Sequence, residues 1–331
     1  MAMKVCVYGA GAIGSLIAAR LSAAGEQVSM IARGETLSAL KTQGVGLAQV
    51  DGAPQFYPVT AVADPGVLGV QDLVVVATKQ CSANEVIRKL SPLLNENTPV
   101  LLAMNGVPWW FLDGLEQAPD DRVLRCLDPD GDLRDILPSQ QVLGCVLHLS
   151  ATMAGPGVVR LNGGNTLLIG SPLKTMSSSL KATVERLSYA GFEARESADI
   201  HHDIWFKLLG NMTMNPVSAL TRSTTDRILD DPLVSRFCCK VMTEAVQVGA
   251  ALGCHMEQTP EERNAETRKL GCFKTSMLQD AEACRELEYQ ALVGVVHELA
   301  LKLQIDTPNL EILYGLIRLL DSNLCEHKKL K

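Results

Sequence analysis

Apolar runs of strand length alternate with amphipathic stretches through the first 198 residues, and helical spacing takes over from Asp199 onward. Lys4 leads into Val-Cys-Val-Tyr, a buried-strand pattern. Residues 13–24 carry Leu16, Ile17 and Leu21 on one side of a helix, with Gly25 as its stop. Residues 27–32 read as a second strand, and 45–50 with 55–59 as a hairpin around Asp51-Gly52. Further strands are expected at 72–78, 100–104, 142–150, 158–161 and 166–169, with Asn162-Gly163-Gly164-Asn165 turning between the last two. A helix with Leu180, Val184 and Leu187 inward closes at Gly191, and 192–195 is one more strand. In the helical half, Asp231-Pro232 and Thr307-Pro308 mark helix starts. Ser276 and Gln279 have capping-box spacing ahead of a long helix that contains Glu288. Residues 116–141, rich in Asp and Pro, read as a surface excursion. The pattern predicts two domains, an α/β Rossmann-like dinucleotide-binding domain over 1–198 and an all-α domain over 199–331.

Composition narrows the function classes. A chain of 331 residues can hold two cores, and 47% hydrophobic with 20% charged residues is an ordinary globular balance. A net charge of −7 argues against nucleic acid as a partner, because phosphate backbones select basic surfaces. No apolar run has the length of a membrane span, so the expected setting is cytoplasmic, away from membranes. Ten scattered cysteines without a C-x-x-C read as buried reduced thiols, and adjacent His201-His202 lacks a second ligand pair, so no metal is expected.

Chemistry enters at Gly9-Ala10-Gly11-Ala12-Ile13-Gly14, a G-x-G-x-x-G between the first strand and the first helix. Gly9 permits the tight turn, Gly11 lets the backbone approach a pyrophosphate, and Gly14 allows helix to pack on strand. An NAD site usually ends the second strand in Asp or Glu, to hold the ribose hydroxyls. Here the strand ends Ser29-Met30-Ile31-Ala32, and Arg33 stands just past it, with Glu35 close enough to be its neighbour. A guanidinium suits a 2′-phosphate, which favours NADPH. Lys79, after Thr78, and Asn105, before Gly106, follow strands and are candidates for the ligand crevice.

In the helical half, Lys207, Asn211 and Asn215 punctuate an apolar run at i, i+4 and i+8. On a helix that stacks a cation and two amides on one face, able to hold a carbonyl and a carboxylate. Pro216 is expected to end or kink this helix.

Taken together, the glycine turn, Thr78-Lys79, Asn105-Gly106, the run from Lys207 to Pro216, Ser276-Met277-Leu278-Gln279-Asp280 and Glu288 resemble the ketopantoate reductase (2-dehydropantoate 2-reductase) family over almost the whole chain. The resemblance implies a 6-phosphogluconate-dehydrogenase-like architecture and NADPH-dependent reduction of ketopantoate to pantoate, on the route to pantothenate and coenzyme A. It implies that Lys207 is the catalytic lysine, that Asn211 and Asn215 bind substrate, and that Ser276 holds its carboxylate. Glu288 would be the acidic partner near substrate and nicotinamide ribose, Asn105 would touch ribose or substrate, and Lys79 and Arg33 would serve the cofactor. Thr225 departs from the family, which often has Asn there, as do the 116–141 excursion and Trp109-Trp110. Another small 2-oxo or 3-hydroxy acid on the same scaffold stays open as substrate, as does a non-catalytic NADP(H) sensor. Two copies could associate through the helical half as a homodimer.

Overall fold

A computed structural model describes residues 2–49, 52–269 and 271–329. The chain forms two compact units, Met1–Asn105 with Asp132–Ile200, and Gly106–Gly131 with His201–Lys331.

The first unit contains β1 (Lys4–Tyr8), α1 (Ala12–Ala23), β2 (Gln27–Ile31), α2 (Gly34–Gln43), β3 (Val45–Leu47), β4 (Gln55–Tyr57), β5 (Thr60–Val62), β6 (Leu73–Val76), α3 (Gln80–Ile87), β7 (Val100–Leu102), α4 (Leu133–Ile136), β8 (Val142–Gly155), β9 (Val158–Gly170), α5 (Ser178–Tyr189) and β10 (Glu193–Glu196). Its ten strands make one sheet in the order β4-β3-β9-β8-β7-β6-β1-β2-β5, with β10 beside β9. β1 lies between β2 and β6, parallel to both. The chain leaves β1 for β2 on one side and later returns to β6 on the other, so the carboxyl end of β1 is a topological switch point. β1, β6 and β7 are almost wholly apolar because both faces of these strands are covered. Leu16, Ile17 and Leu21 of α1 join Val5, Val7, Met30 and Val75 in the core.

Two expectations change here. Asn162–Asn165 is not a turn: β9 runs through it, and the hairpin reverses at Pro156-Gly157 instead. Register shifts between His148 and Leu149 and between Ser150 and Ala151 leave Asn165 and Asn162 as the extra residues, while Gly164 faces Leu149 and Gly163 faces Ser150; a Cβ on Gly164 would lie 2.3 Å from the His148 carbonyl oxygen. The hairpin of β3 and β4 is present, but Val50 and Asp51 of its expected turn lie outside the described residues.

The second unit contains α6 (Ile200–Thr221), α7 (Thr225–Asp230), α8 (Pro232–Ala251), α9 (Pro260–Arg268), α10 (Ser276–Glu282), α11 (Val295–Leu303) and α12 (Pro308–Lys329). Asp231 caps α8 through the Leu233 and Val234 amides, as its place before Pro232 predicts. At the start of α12 a buried carboxylate from α8, Glu244, accepts from the amides of Asn309 (3.1 Å) and Leu310 (2.8 Å). The partial positive charge of a helix N-terminus offsets the cost of burying it.

Residues 106–131 belong to this unit: 107–113 lie in its core, while 116–131, the first part of the expected surface excursion, is largely exposed or half-buried, with Leu124 and Leu127 turned inward. Trp109, Trp110, Phe111, Leu112 and Leu124 are buried. Phe111 stacks on Trp205 at 5.5 Å, and His201 lies edge-on to Trp110 and Phe111 with Nε2 2.9 Å from the Asp113 carbonyl oxygen. Glu298 of α11 accepts from the Arg125 and Cys126 amides at 2.7 and 2.8 Å, and Lys302 reaches Asp121. Asp and Pro dominate the excursion's composition, but its leucines, Leu124, Leu127, Leu133 and Leu137, are buried. Cys126, half-buried beside Glu298, has its thiol pKa pushed well up by desolvation and by that carboxylate. None of the ten cysteines forms a disulfide, and Cys81, Cys272 and Cys325 are exposed, contrary to the expectation of buried thiols. No helix among the described residues is long and apolar enough to cross a membrane.

Candidate active site

The glycine turn joins β1 to α1 and is shaped by steric contact. Gly9 has φ +111°, and a Cβ there would lie 2.8 Å from the Ala77 carbonyl oxygen. At Gly14 a Cβ would lie 1.9 Å from the Gly9 carbonyl oxygen, so only glycine lets α1 sit this close to the turn. A Cβ on Gly11 would meet nothing within 4 Å: this side is open to a ligand. Gly11 is the N-cap of α1 and gives no side-chain cap, so the Ala12, Ile13 and Gly14 amides of the first turn are not capped by it. Ala10 lines the cavity beside this turn.

That cavity holds about 260 Å³ between Tyr8, Gly9 and Ala10 after β1, Ile31, Ala32 and Arg33 after β2, Thr36 in the first turn of α2, and Thr78, Ser82, Glu85 and Val86 around α3. Thr78 Oγ1 is buried without a hydrogen-bond partner, which suits a site built for a polar ligand. The sequence reading named Arg33 here but missed Tyr8, Thr36, Ser82 and Glu85. No motif marks these residues; the strand order alone brings them together. Arg33 pairs with Glu85 (Nη2 to Oε1, 3.1 Å), rather than with its sequence neighbour Glu35. The Lys89 ammonium and the Arg33 guanidinium hold the Glu85 carboxyl below its ordinary range. Desolvation raises the Tyr8 phenol. Lys79 is the N-cap of α3, at the carboxyl end of β6, and Asn105 follows β7. The residues around this cavity therefore fit a dinucleotide: a glycine turn for the pyrophosphate and a guanidinium at the end of β2.

In the second unit α6 carries Lys207, Asn211 and Asn215 on one face, the first two half-buried and the third 9% exposed. Pro216 does not end the helix, which continues to Thr221. Residues 212–219 are all buried, and that packing outweighs one lost helical hydrogen bond. Ser218 Oγ donates to the Asn215 carbonyl oxygen (2.9 Å) and meets Thr275 Oγ1, which brings the start of α10 to the Asn215 end of the column. Thr275, not Ser276, caps α10, accepting from the Leu278 amide. Ser276 is the exposed first residue of that helix, so its hydroxyl is not the cap its spacing suggested. Thr225, where the family often has Asn, is buried and donates to the Gly271 carbonyl oxygen (3.0 Å). Here it fixes the segment ahead of Ser276.

Glu288 stands on a third segment of this unit. The expected long helix is broken: α10 stops at Glu282, Cys284 takes φ +50°, and Glu288 precedes a π-helical turn at Gln290–Gly294 that runs into α11. Its neighbour Leu287 is buried and its amide donates to Asp321 of α12 (2.9 Å). The Ala291 carbonyl oxygen in the π turn accepts from the Val107 amide at 2.9 Å. Gly106 makes room for this contact: its φ is +86°, and a Cβ would lie 2.6 Å from that oxygen. Spacing could not reveal the π turn, which docks on Val107 through this hydrogen bond.

The switch-point cavity and its glycine turn describe a chain that works with a dinucleotide, and comparison with known proteins narrows the class to nicotinamide-dependent oxidoreductases. Residues 5–173 match the signature "Ketopantoate reductase PanE/ApbA", and residues 199–321 match "Ketopantoate reductase PanE/ApbA C terminal". A 2-dehydropantoate 2-reductase from Mesorhizobium japonicum is 36% identical over 96% of this chain and 97% of its own. A crystal structure from Ralstonia solanacearum, provisionally assigned as a ketopantoate reductase, is 46% identical with TM-score 0.92, covering 98% of this chain and 99% of that one. D-mandelate dehydrogenase with NADH and anilino(oxo)acetate shares the fold at 20% identity and TM-score 0.81, over 97% and 99% of the two chains. The chain belongs to the ketopantoate reductase family.

Proposed function

We propose that this chain reduces 2-dehydropantoate to (R)-pantoate with NADPH, as a cytoplasmic step toward pantothenate and coenzyme A. The observation that carries the reading is the lysine–amide–amide column of α6, with Ser276 brought to its Asn215 end by the Ser218–Thr275 contact. When bound, the nicotinamide supplies hydride to C2 of the 2-oxo acid. Negative charge then develops on the keto oxygen, and the Lys207 ammonium stabilises it and delivers the proton. Asn211 and Asn215 orient the substrate, and the Ser276 hydroxyl holds its carboxylate. Glu288 and Asn105 receive hydroxyls of substrate and nicotinamide ribose. Gly9 to Gly14 and Lys79 hold the dinucleotide, and Arg33 meets its 2′-phosphate. A homodimer would use the apolar stripe that Ile312, Leu316 and Leu319 expose along α12.

Steady-state kinetics with ketopantoate and a panel of 2-oxo acids, read at the nicotinamide absorbance, tests the substrate. A different acid with higher kcat/KM would replace it. Loss of a donor to the developing charge typically costs about 10²–10³ in rate. Lys207→Ala is expected to lose that much kcat while NADPH still binds; near-normal turnover would remove Lys207 as the acid. A second reading, NADH as cofactor, is favoured by one observation: a carboxylate, Glu85, lies against Arg33.

A further inference from the structure

The cation beside Arg33 has no role in the reading so far. Lys89 Nζ lies 2.5 Å from Glu85 Oε1, the same oxygen that Arg33 Nη2 approaches at 3.1 Å. Glu85 and Lys89 are four residues apart, which alone would be an ordinary surface pair. Arg33 comes from a different strand end, 52 residues away in sequence, and converges on the same atom. Both cationic nitrogens therefore reach one oxygen of Glu85, a residue that lines the cavity together with Arg33, Thr36 and Ser82. The buried Tyr8, which also lines the cavity, feels the charges of all three groups. A phosphate oxygen placed at that point would receive both cations, and the carboxylate would have to give them up.

We propose that Lys89 is a second ligand for the cofactor's 2′-phosphate and that Glu85 is the opposing group, so that the trio Arg33–Glu85–Lys89 sets the choice between NADPH and NADH. The inference rests on the dinucleotide reading given above. With a bare ribose, Glu85 keeps its cations and can accept from a hydroxyl. With a 2′-phosphate, the cations transfer to the phosphate and Glu85 is left as a like charge beside it. The preference for NADPH is then the outcome of a competition.

The test is the dissociation constants of NADPH and NADH for the full-length protein, measured by nicotinamide fluorescence or calorimetry without substrate. Exposed charge pairs contribute modestly, so effects of a few-fold are expected. Lys89→Met should weaken NADPH about five-fold and NADH less than about two-fold. Glu85→Gln should tighten NADPH about three-fold and leave NADH equal or weaker. In the double variant Lys89→Met with Glu85→Gln, NADPH should still bind more weakly than to Glu85→Gln alone. No difference there would mean that Lys89 only neutralises Glu85, which overturns its role as a ligand. If Arg33→Met discriminates between the cofactors while Lys89→Met and Glu85→Gln leave their ratio within about two-fold, this inference fails and the assignment of Arg33 stands. If Arg33→Met weakens both cofactors equally, the 2′-phosphate assignment itself fails.

Discussion

The two ends of the dinucleotide cradle are built from different materials. At the pyrophosphate end the backbone does the work: Gly14 sits where a Cβ would be 1.9 Å from a carbonyl oxygen, and Gly9 holds a φ of +111°. At the end proposed for the ribose the work falls to long exposed side chains, with Arg33 70% and Glu85 52% accessible. Steric contact falls off within a few tenths of an ångström and admits no compromise, whereas exposed ion pairs are weak, screened and exchangeable. On the proposed reading, the fold fixes that a dinucleotide binds, and leaves which dinucleotide to residues that can change without disturbing it.

Substitutions at the two ends should separate these roles. The largest effect is expected at Gly14→Ala: the methyl must displace the turn or α1, costing about 3 kcal/mol, and dinucleotide fluorescence titration should show binding lost. Retained affinity with an unchanged melting temperature would break the contrast. Next is Gly106→Ala, the backbone-built contact of the helical unit. A positive φ and a crowded carbonyl make a cost of about 2 kcal/mol expected, and kcat should fall roughly ten-fold as the Glu288 segment shifts, with cofactor affinity less affected. Arg33→Met should weaken NADPH about ten-fold and spare NADH, with no change in thermal stability beyond about 0.5 kcal/mol. The smallest effect is that of salt: raising ionic strength from about 0.05 to 0.5 M should weaken NADPH a few-fold and NADH hardly at all. Equal salt sensitivity would place the discriminating charges elsewhere.

The same division explains what could be read from the chain. The β1–turn–α1–β2 segment was legible because glycine spacing and apolar runs are local and mutually consistent. The column of Lys207, Asn211 and Asn215 was legible from helical periodicity alone. Pro216 does not end α6, because its local rule is weaker than the packing of Met212, Met214 and Val217 around it. Asn162–Asn165 misled because a bulge within a strand and a turn between strands use the same residues. The 116–141 stretch hid its core residues among aspartates and prolines. Glu85 and Lys89 carry no signature at all: their meeting with Arg33 depends on β6 returning beside β1, a property of strand order rather than of either segment.

The π turn ahead of α11 has a geometric corollary. Five residues close each of its hydrogen-bonded loops where four would suffice, so Gln290–Gly294 carries one residue more than a regular helix needs. Deleting one residue there would restore the regular ladder and, at 3.6 residues per turn, swing everything upstream by about 100° around the helix axis. The carboxylate of Glu288 would then point to a different quarter of the unit, although no side chain of the site had been altered.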